Sequence, residues 1–126
     1  SLDVTVTQLS HLPRMDALLK GGKCDPYVVV QLGKEEAVQT PHKLNTFDCT
    51  WEDDGPLALN VPPITDESDL VLKLCVYDWD RVGKNELIGE TSVALDLCHP
   101  EQDNKRNFDN LALRNEHGKE VIGNDK

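Results

Sequence analysis

A chain of 126 residues, 38% hydrophobic and 29% charged, has the size and apolar content of one globular domain. Its formal charge of −10, from 23 acidic residues against 13 Lys and Arg, lacks the basic footprint of a nucleic-acid binder and gives no unaided attraction to an anionic membrane. No apolar run approaches the ~20 residues that span a bilayer, and the cysteines at 24, 49, 75 and 98 form no CxxC pair, which argues against zinc and reads as reduced thiols.

The first segment, Leu2-Asp3-Val4-Thr5-Val6-Thr7, alternates apolar and polar residues and predicts a strand running to Leu9. Because the chain opens in this pattern, it reads as one domain, residues 1–126, of a larger protein. Pro13 breaks the strand, and residues 14–26 form a loop punctuated by Gly21, Gly22 and Pro26. Tyr27 to Leu32 is a second strand, rich in valine. A weak strand is expected from Ala37 to Thr40. Pro41 to Asp54 reads as polar and irregular, with Trp51 as its buried anchor. Leu57 to Val61 is another strand, closed by Pro62-Pro63.

Leu70 to Tyr77 is the clearest strand, with Leu70, Leu72, Leu74 and Val76 on one face. A further strand follows from Leu87 to Leu95. Two short strands are expected from Phe108 to Leu113 and from Gly118 to Ile122. Short strands punctuated by proline and glycine, with no amphipathic helix, predict an all-β sandwich or barrel.

Between the two long strands lies Tyr77-Asp78-Trp79-Asp80-Arg81-Val82-Gly83-Lys84-Asn85-Glu86. Alternate residues on a strand point the same way, so Asp78 and Asp80 can aim at one point. Paired carboxylates repel and lose solvation unless a positive charge sits between them. Oxygen ligands of this kind suit a hard cation, calcium above all. A solvated strand end is the competing reading for Asp78 and Asp80, and a turn-shaping role before Pro26 is the competing reading for Asp25.

The chain resembles a C2 domain, the β-sandwich named after a conserved region of protein kinase C. Four segments carry the likeness: Leu2-x-Val4-x-Val6 with Leu12-Pro13-x-Met15-Asp16; Cys24-Asp25-Pro26-Tyr27-Val28; Trp51-Glu52-Asp53; and Tyr77-Asp78-Trp79-Asp80 through Ile88-Gly89. The resemblance implies calcium ligands at Asp16 and Asp25 in the first loop and at Asp78, Asp80 and Glu86 in the third. It adds backbone carbonyls of Met15 and Trp79 and implies two calcium ions. Two departures stand out. Asp16 and Asp25 are nine positions apart, wider than the family spacing, and Glu86 replaces the more usual aspartate.

The lengthened first loop carries Leu18 and Leu19 beside Lys20 and Lys23. Docked on a bilayer, the leucines could enter the interface while the lysines meet phosphates; folding back onto the sandwich is the other reading. Arg81 and Val82 fit the same membrane-contact role in the third loop. The fold that follows is an eight-stranded antiparallel β-sandwich of C2 type, with type II topology. The function that follows is calcium-dependent docking on anionic phospholipid membranes by a non-catalytic, monomeric, cytoplasmic module that targets its parent protein to membranes. The alternative is a calcium-independent protein-interaction domain with an impaired metal site.

Overall fold

A computed structural model describes residues 2–10, 12, 24–44, 46–61, 63, 65–80, 83–95, 111–115 and 118–121. Among these, eight strands pair antiparallel throughout: β1 (Leu2–Val4), β2 (Gln8–Leu9), β3 (Pro26–Leu32), β4 (Val38–Gln39), β5 (Cys49–Thr50), β6 (Leu57–Leu59), β7 (Val71–Asp78) and β8 (Glu86–Ala94). The order β4-β3-β7-β8 makes a four-stranded sheet, while β1-β6 and β2-β5 form two short pairs.

The period-two pattern decides which face is buried. Val28, Val30 and Leu32 of β3, Leu72 and Val76 of β7, and Val93 of β8 lie in one core cluster. Against them pack Trp51, Leu12 and Leu59, with Leu2, Val4, Leu9 and Leu57 partly buried around them. The short pairs therefore cover the inner face of the four-stranded sheet, which is the sandwich expected from the strand pattern. Trp51 is 1% exposed, as its role of anchor requires.

The first predicted strand divides in two. The segment it pairs with contains a 3-10 turn at Glu52–Asp54, between β5 and β6. Opposite a helical turn no ladder can continue, so Leu2–Val4 pairs with Leu57–Leu59 and Gln8–Leu9 pairs separately with Cys49–Thr50. The stretch read as wholly irregular thus contributes β5. Near the C-terminus the two expected strands reduce, among the described residues, to bridges from Arg114 to Glu90 and to Glu120. The type II strand order depends on that stretch.

A second 3-10 turn, Glu67–Leu70, feeds β7. Asp66 caps it: its side chain accepts the Ser68 N–H at 3.0 Å, while Asp69 accepts the Asp66 N–H at 3.1 Å. This box sets where β7 begins, and the eight-residue strand ends on Asp78.

Candidate metal and membrane site

The start of β3 and the end of β7 meet at one end of the sandwich. Pro26 pairs with Asp78 in the ladder. Pro26 has no N–H to give, and proline is tolerated at the first residue of a strand for that reason. The preceding residue makes the contacts instead. The Asp25 N–H donates to Asp78 Oδ1 at 2.8 Å, and the Asp25 carbonyl accepts the Trp79 N–H at 2.9 Å. Asp25 and Asp78 are 5% and 6% exposed, so both acidic residues lie out of water where the two strands meet. The charge-assisted bond from Asp25 N–H offsets part of the cost of burying Asp78.

Glu86 reaches this place through a bulge. From Val71 to Val76 the register pairs Val76 with Gly89, but the next pairs are Tyr77 with Leu87 and Asp78 with Glu86. Ile88 is the extra residue, and its side chain fills the core at 3% exposure. An unbroken register would set Leu87 opposite Asp78. The bulge puts Glu86 there, with β-carbons about 5 Å apart by ladder geometry. Gly89, beside the bulge, lets the segments bridged at Arg114 pack close: a Cβ on it would stand 2.9 Å from the Leu113 and Val121 side chains.

The connector from β7 to β8 is tied by Asn85. The Asp80 N–H donates to Asn85 Oδ1 at 2.8 Å, which fixes the orientation of the amide, and Asn85 Nδ2 donates to Tyr27 Oη at 2.8 Å. Tyr27 in turn stacks on Tyr77, with ring centroids 5.6 Å apart. Gly83, at φ +104°, bends the connector back so that a Cβ there would lie 3.5 Å from Asp80 Oδ2. Asp80 and Glu86 are exposed, unlike Asp25 and Asp78.

A second connector arrives at the same end, and the sequence pattern gave no sign of it. Leaving β4, the chain runs beside β3: Thr40 N–H bonds to the Val28 carbonyl at 2.9 Å, Lys43 N–H to the Pro26 carbonyl at 2.9 Å, and Thr46 N–H to the Cys24 carbonyl at 2.8 Å. His42 lies flat on Trp79, with centroids 4.0 Å apart and planes 7° from parallel. No signal in the sequence pairs these rings; a loop histidine beside a proline is unremarkable until β3 and β7 are aligned.

The structure therefore brings Asp25 and Asp78 into contact, sets Glu86 across from Asp78, and carries Asp80 and Trp79 on the adjoining connector. The donors are carboxylates, which fit a hard divalent cation and not a thiolate-seeking one. Among the described residues no group of three or more Asp, Glu, His or Cys is arranged as a metal cage. Met15, Asp16, Leu18, Leu19, Lys20 and Lys23 of the first loop, and Arg81 and Val82 of the third, lie outside the described residues. Among the described residues no helix is long and apolar enough to cross a membrane.

Comparison with known proteins places these features in context. The family model of the C2 domain matches residues 1–110. The chain is 30% identical over 125 residues to Synaptotagmin 1 of Drosophila melanogaster, covering 98% of this chain and 25% of that protein. It is 31% identical over 103 residues to Synaptotagmin-2 of Arabidopsis thaliana, covering 80% of this chain and 18% of that protein. The chain thus spans a quarter or less of these relatives. Among solved structures, a C2 domain of plant Extended Synaptotagmin 1 superposes with a TM-score of 0.68 at 24% identity, over 95% of this chain and 85% of that one. Human GIVD cytosolic phospholipase A2 gives a TM-score of 0.53 at 21% identity, over 73% of this chain and 14% of that one.

Proposed function

The chain belongs to the C2 domain family, and from that premise we propose that it is a calcium-dependent docking module for anionic phospholipid membranes. The observation that carries the proposal is the buried contact between Asp25 and Asp78, with Glu86 directly opposite Asp78. Like charges directly opposite on a ladder destabilise it, and desolvation adds to the cost. A fold that keeps this arrangement at a sheet end has a use for a cation there.

In this reading Asp25, Asp78, Asp80 and Glu86 supply oxygens from the described wall, and Asp16 supplies them from the first loop, with the Met15 and Trp79 carbonyls. Each calcium takes about six to eight oxygens, so these groups would hold calcium with room for lipid phosphate to add an oxygen. Calcium supplies positive charge, about +4 for two ions, in a cup that otherwise repels anionic headgroups. The chain's own part is to hold the carboxylates: the β7–β8 bulge presents Glu86, the Asp25 N–H orients Asp78, and Asn85 closes the connector behind Asp80. Leu18, Leu19, Lys20 and Lys23, with Arg81 and Val82, are the membrane-contacting residues in this proposal. Residues 1–126 then act as one monomeric, non-catalytic domain of a longer protein, cytoplasmic and peripheral at the membrane when calcium is bound.

One observation favours another reading, a calcium-independent protein-interaction domain: among the described residues no group of three or more Asp, Glu, His or Cys is arranged to hold a metal ion. Liposome co-sedimentation with and without calcium separates the two. Calcium-dependent binding that is abolished in Asp78→Asn/Asp80→Asn is expected. Equal binding by that variant, or none by either protein, would exclude the calcium switch.

A further inference from the structure

We propose that the open edge of β8 is a docking cleft for the C-terminal end of an extended peptide, which pairs with Ser92 and Ala94 while Arg114 receives its carboxylate. The cleft lies along the end of β8 away from Glu86, so it stands independently of the docking reading above.

Alternation along β8 decides which backbone groups are available. The Leu95 N–H bonds to the Leu70 carbonyl at 2.9 Å, on the β7 side, and Val93 and Thr91 turn the same way within the unbroken register of Val71 to Val76. Glu90, Ser92 and Ala94 therefore turn their N–H and carbonyl groups outward. Glu90 exchanges both of its groups with Arg114, at 2.8 and 2.9 Å. Continued pairing would set Ala112 against Ser92, yet the bridges of this segment among the described residues are those of Arg114 to Glu90 and Glu120. Beyond Glu90 the two segments part like a fork, with Ser92 and Ala94 exposed on one side and Ala112 on the other. A cleft of about 450 Å³ opens there, with Glu90, Ser92, Ala112, Arg114 and Gly118 in its lining.

Native sheets guard such edges with lysine, proline or a bulge. On this edge the exposed residues are serine and alanine, and the bulge at Ile88 lies on the far side of the Glu90–Arg114 bridge. Small side chains on both sides leave the backbone groups open to an added strand, which would gain its affinity from main-chain bonds.

Shape and charge select the occupant. The Glu90–Arg114 bridge closes the inner end of the fork, so a strand entering it has to stop there, and a chain terminus fits where a passing loop does not. Two charged side chains stand at that end. Glu90 has its counter-ion in Lys73, 3.4 Å away, and accepts the Cys75 thiol at 3.5 Å. Arg114 donates to the Gly118 carbonyl at 3.1 Å, a neutral acceptor, which leaves its charge uncompensated. A carboxylate therefore matches the closed end, whereas an amino terminus would bring a second cation to Arg114. The rest of the peptide should lack acidic side chains, and a second copy of this chain is disfavoured, because the domain already carries −10.

The probe is a pool of N-acetylated pentapeptides, randomised among uncharged residues, made once with a free C-terminal carboxylate and once with a carboxamide. Main-chain pairing tolerates sequence, so a pool suffices. With isotope-labelled protein, the free-acid pool should shift the Ser92 and Ala94 amide resonances and protect both from exchange. The carboxamide pool should bind about tenfold more weakly, the scale of one charge-assisted hydrogen bond. Arg114→Gln keeps a donor for the Gly118 carbonyl and should bind both pools equally and weakly. Ser92→Pro removes an outward N–H without touching the β7 ladder and should abolish protection at Ala94. Urea unfolding checks that both variants fold, and Arg114→Gln decides the matter if Ser92→Pro does not. No shift with either pool, equal binding of the two pools by wild type, a retained preference for the free acid in Arg114→Gln, or full binding by folded Ser92→Pro overturns the inference. Calcium-dependent co-sedimentation with liposomes is a separate measurement, so the docking reading survives any of these results.

Discussion

The β7–β8 connector and the β4–β5 connector close the same end of the sandwich, and they are held there by different means. The first springs from the longest ladder among the described residues, so register positions Asp78 and Glu86. The second springs from two-residue strands, and individual bonds hold it: Lys43 and Thr46 to the start of β3, Thr40 to Val28, and Trp51 to Pro41. A ladder spreads its constraint over many residues, whereas pinned bonds concentrate it in a few. The acid-bearing loop should therefore survive changes at its tip, while the other depends on its anchors.

Removing the main anchor should give the largest effect. Trp51→Ala empties a core position and leaves the Pro41 carbonyl without its donor, so a loss of about 3–5 kcal/mol is expected in urea unfolding. Amide exchange at Lys43 and Thr46 should accelerate ahead of exchange within β7 and β8. Equal acceleration in both regions would show that the two connectors are not independently held.

A smaller change probes the other loop. Asn85→Ala deletes the acceptor for the Asp80 N–H and the donor to Tyr27 Oη. The group is exposed, so the loss in stability should be about 1 kcal/mol. The Asp80 amide should exchange faster while the Asp25 amide, bonded to Asp78, stays protected. Unchanged exchange at Asp80 would mean that the ladder alone shapes the connector.

The smallest effect concerns Cys49, where the second connector enters β5. Burial pushes its thiol up to about 12, against a weaker downward pull from Lys43 and an upward one from Asp48. At pH 8 about one thiol in 10⁴ is then ionised, so alkylation should be far slower than for the unfolded chain. The sign follows from linkage. The folded state holds the proton more tightly than the unfolded one, so this stability is fully present below pH 9.0 and is lost as pH rises toward about 12. Ellman titration of folded and unfolded protein measures the difference.

Much of this was legible in the residues. The alternation in Leu70 to Tyr77 marked both faces of β7, and Asp25-Pro26 with Asp78-x-Asp80 marked the strand ends that carry acids. The division of the first strand was not legible, because it follows from the helical turn at Glu52–Asp54 in the segment that pairs with it. The β4–β5 connector shows only irregularity in the sequence, since its polar residues have no period; its place beside Trp79 depends on the pairing of β3 with β7.

The order of residues was enough to say which side chains lie inward along each strand and that carboxylates end two of them, because side-chain alternation is a local property of the extended chain. That Glu86 faces Asp78 came from the assembled sheet. The pairing depends on one extra residue, Ile88, absorbed between Gly89 and Leu87. The cover of His42 over Trp79 arose in the same way. Register and loop convergence join residues distant along the chain, and the packing of Ile88 into a shared core selects among registers that alternation leaves equal.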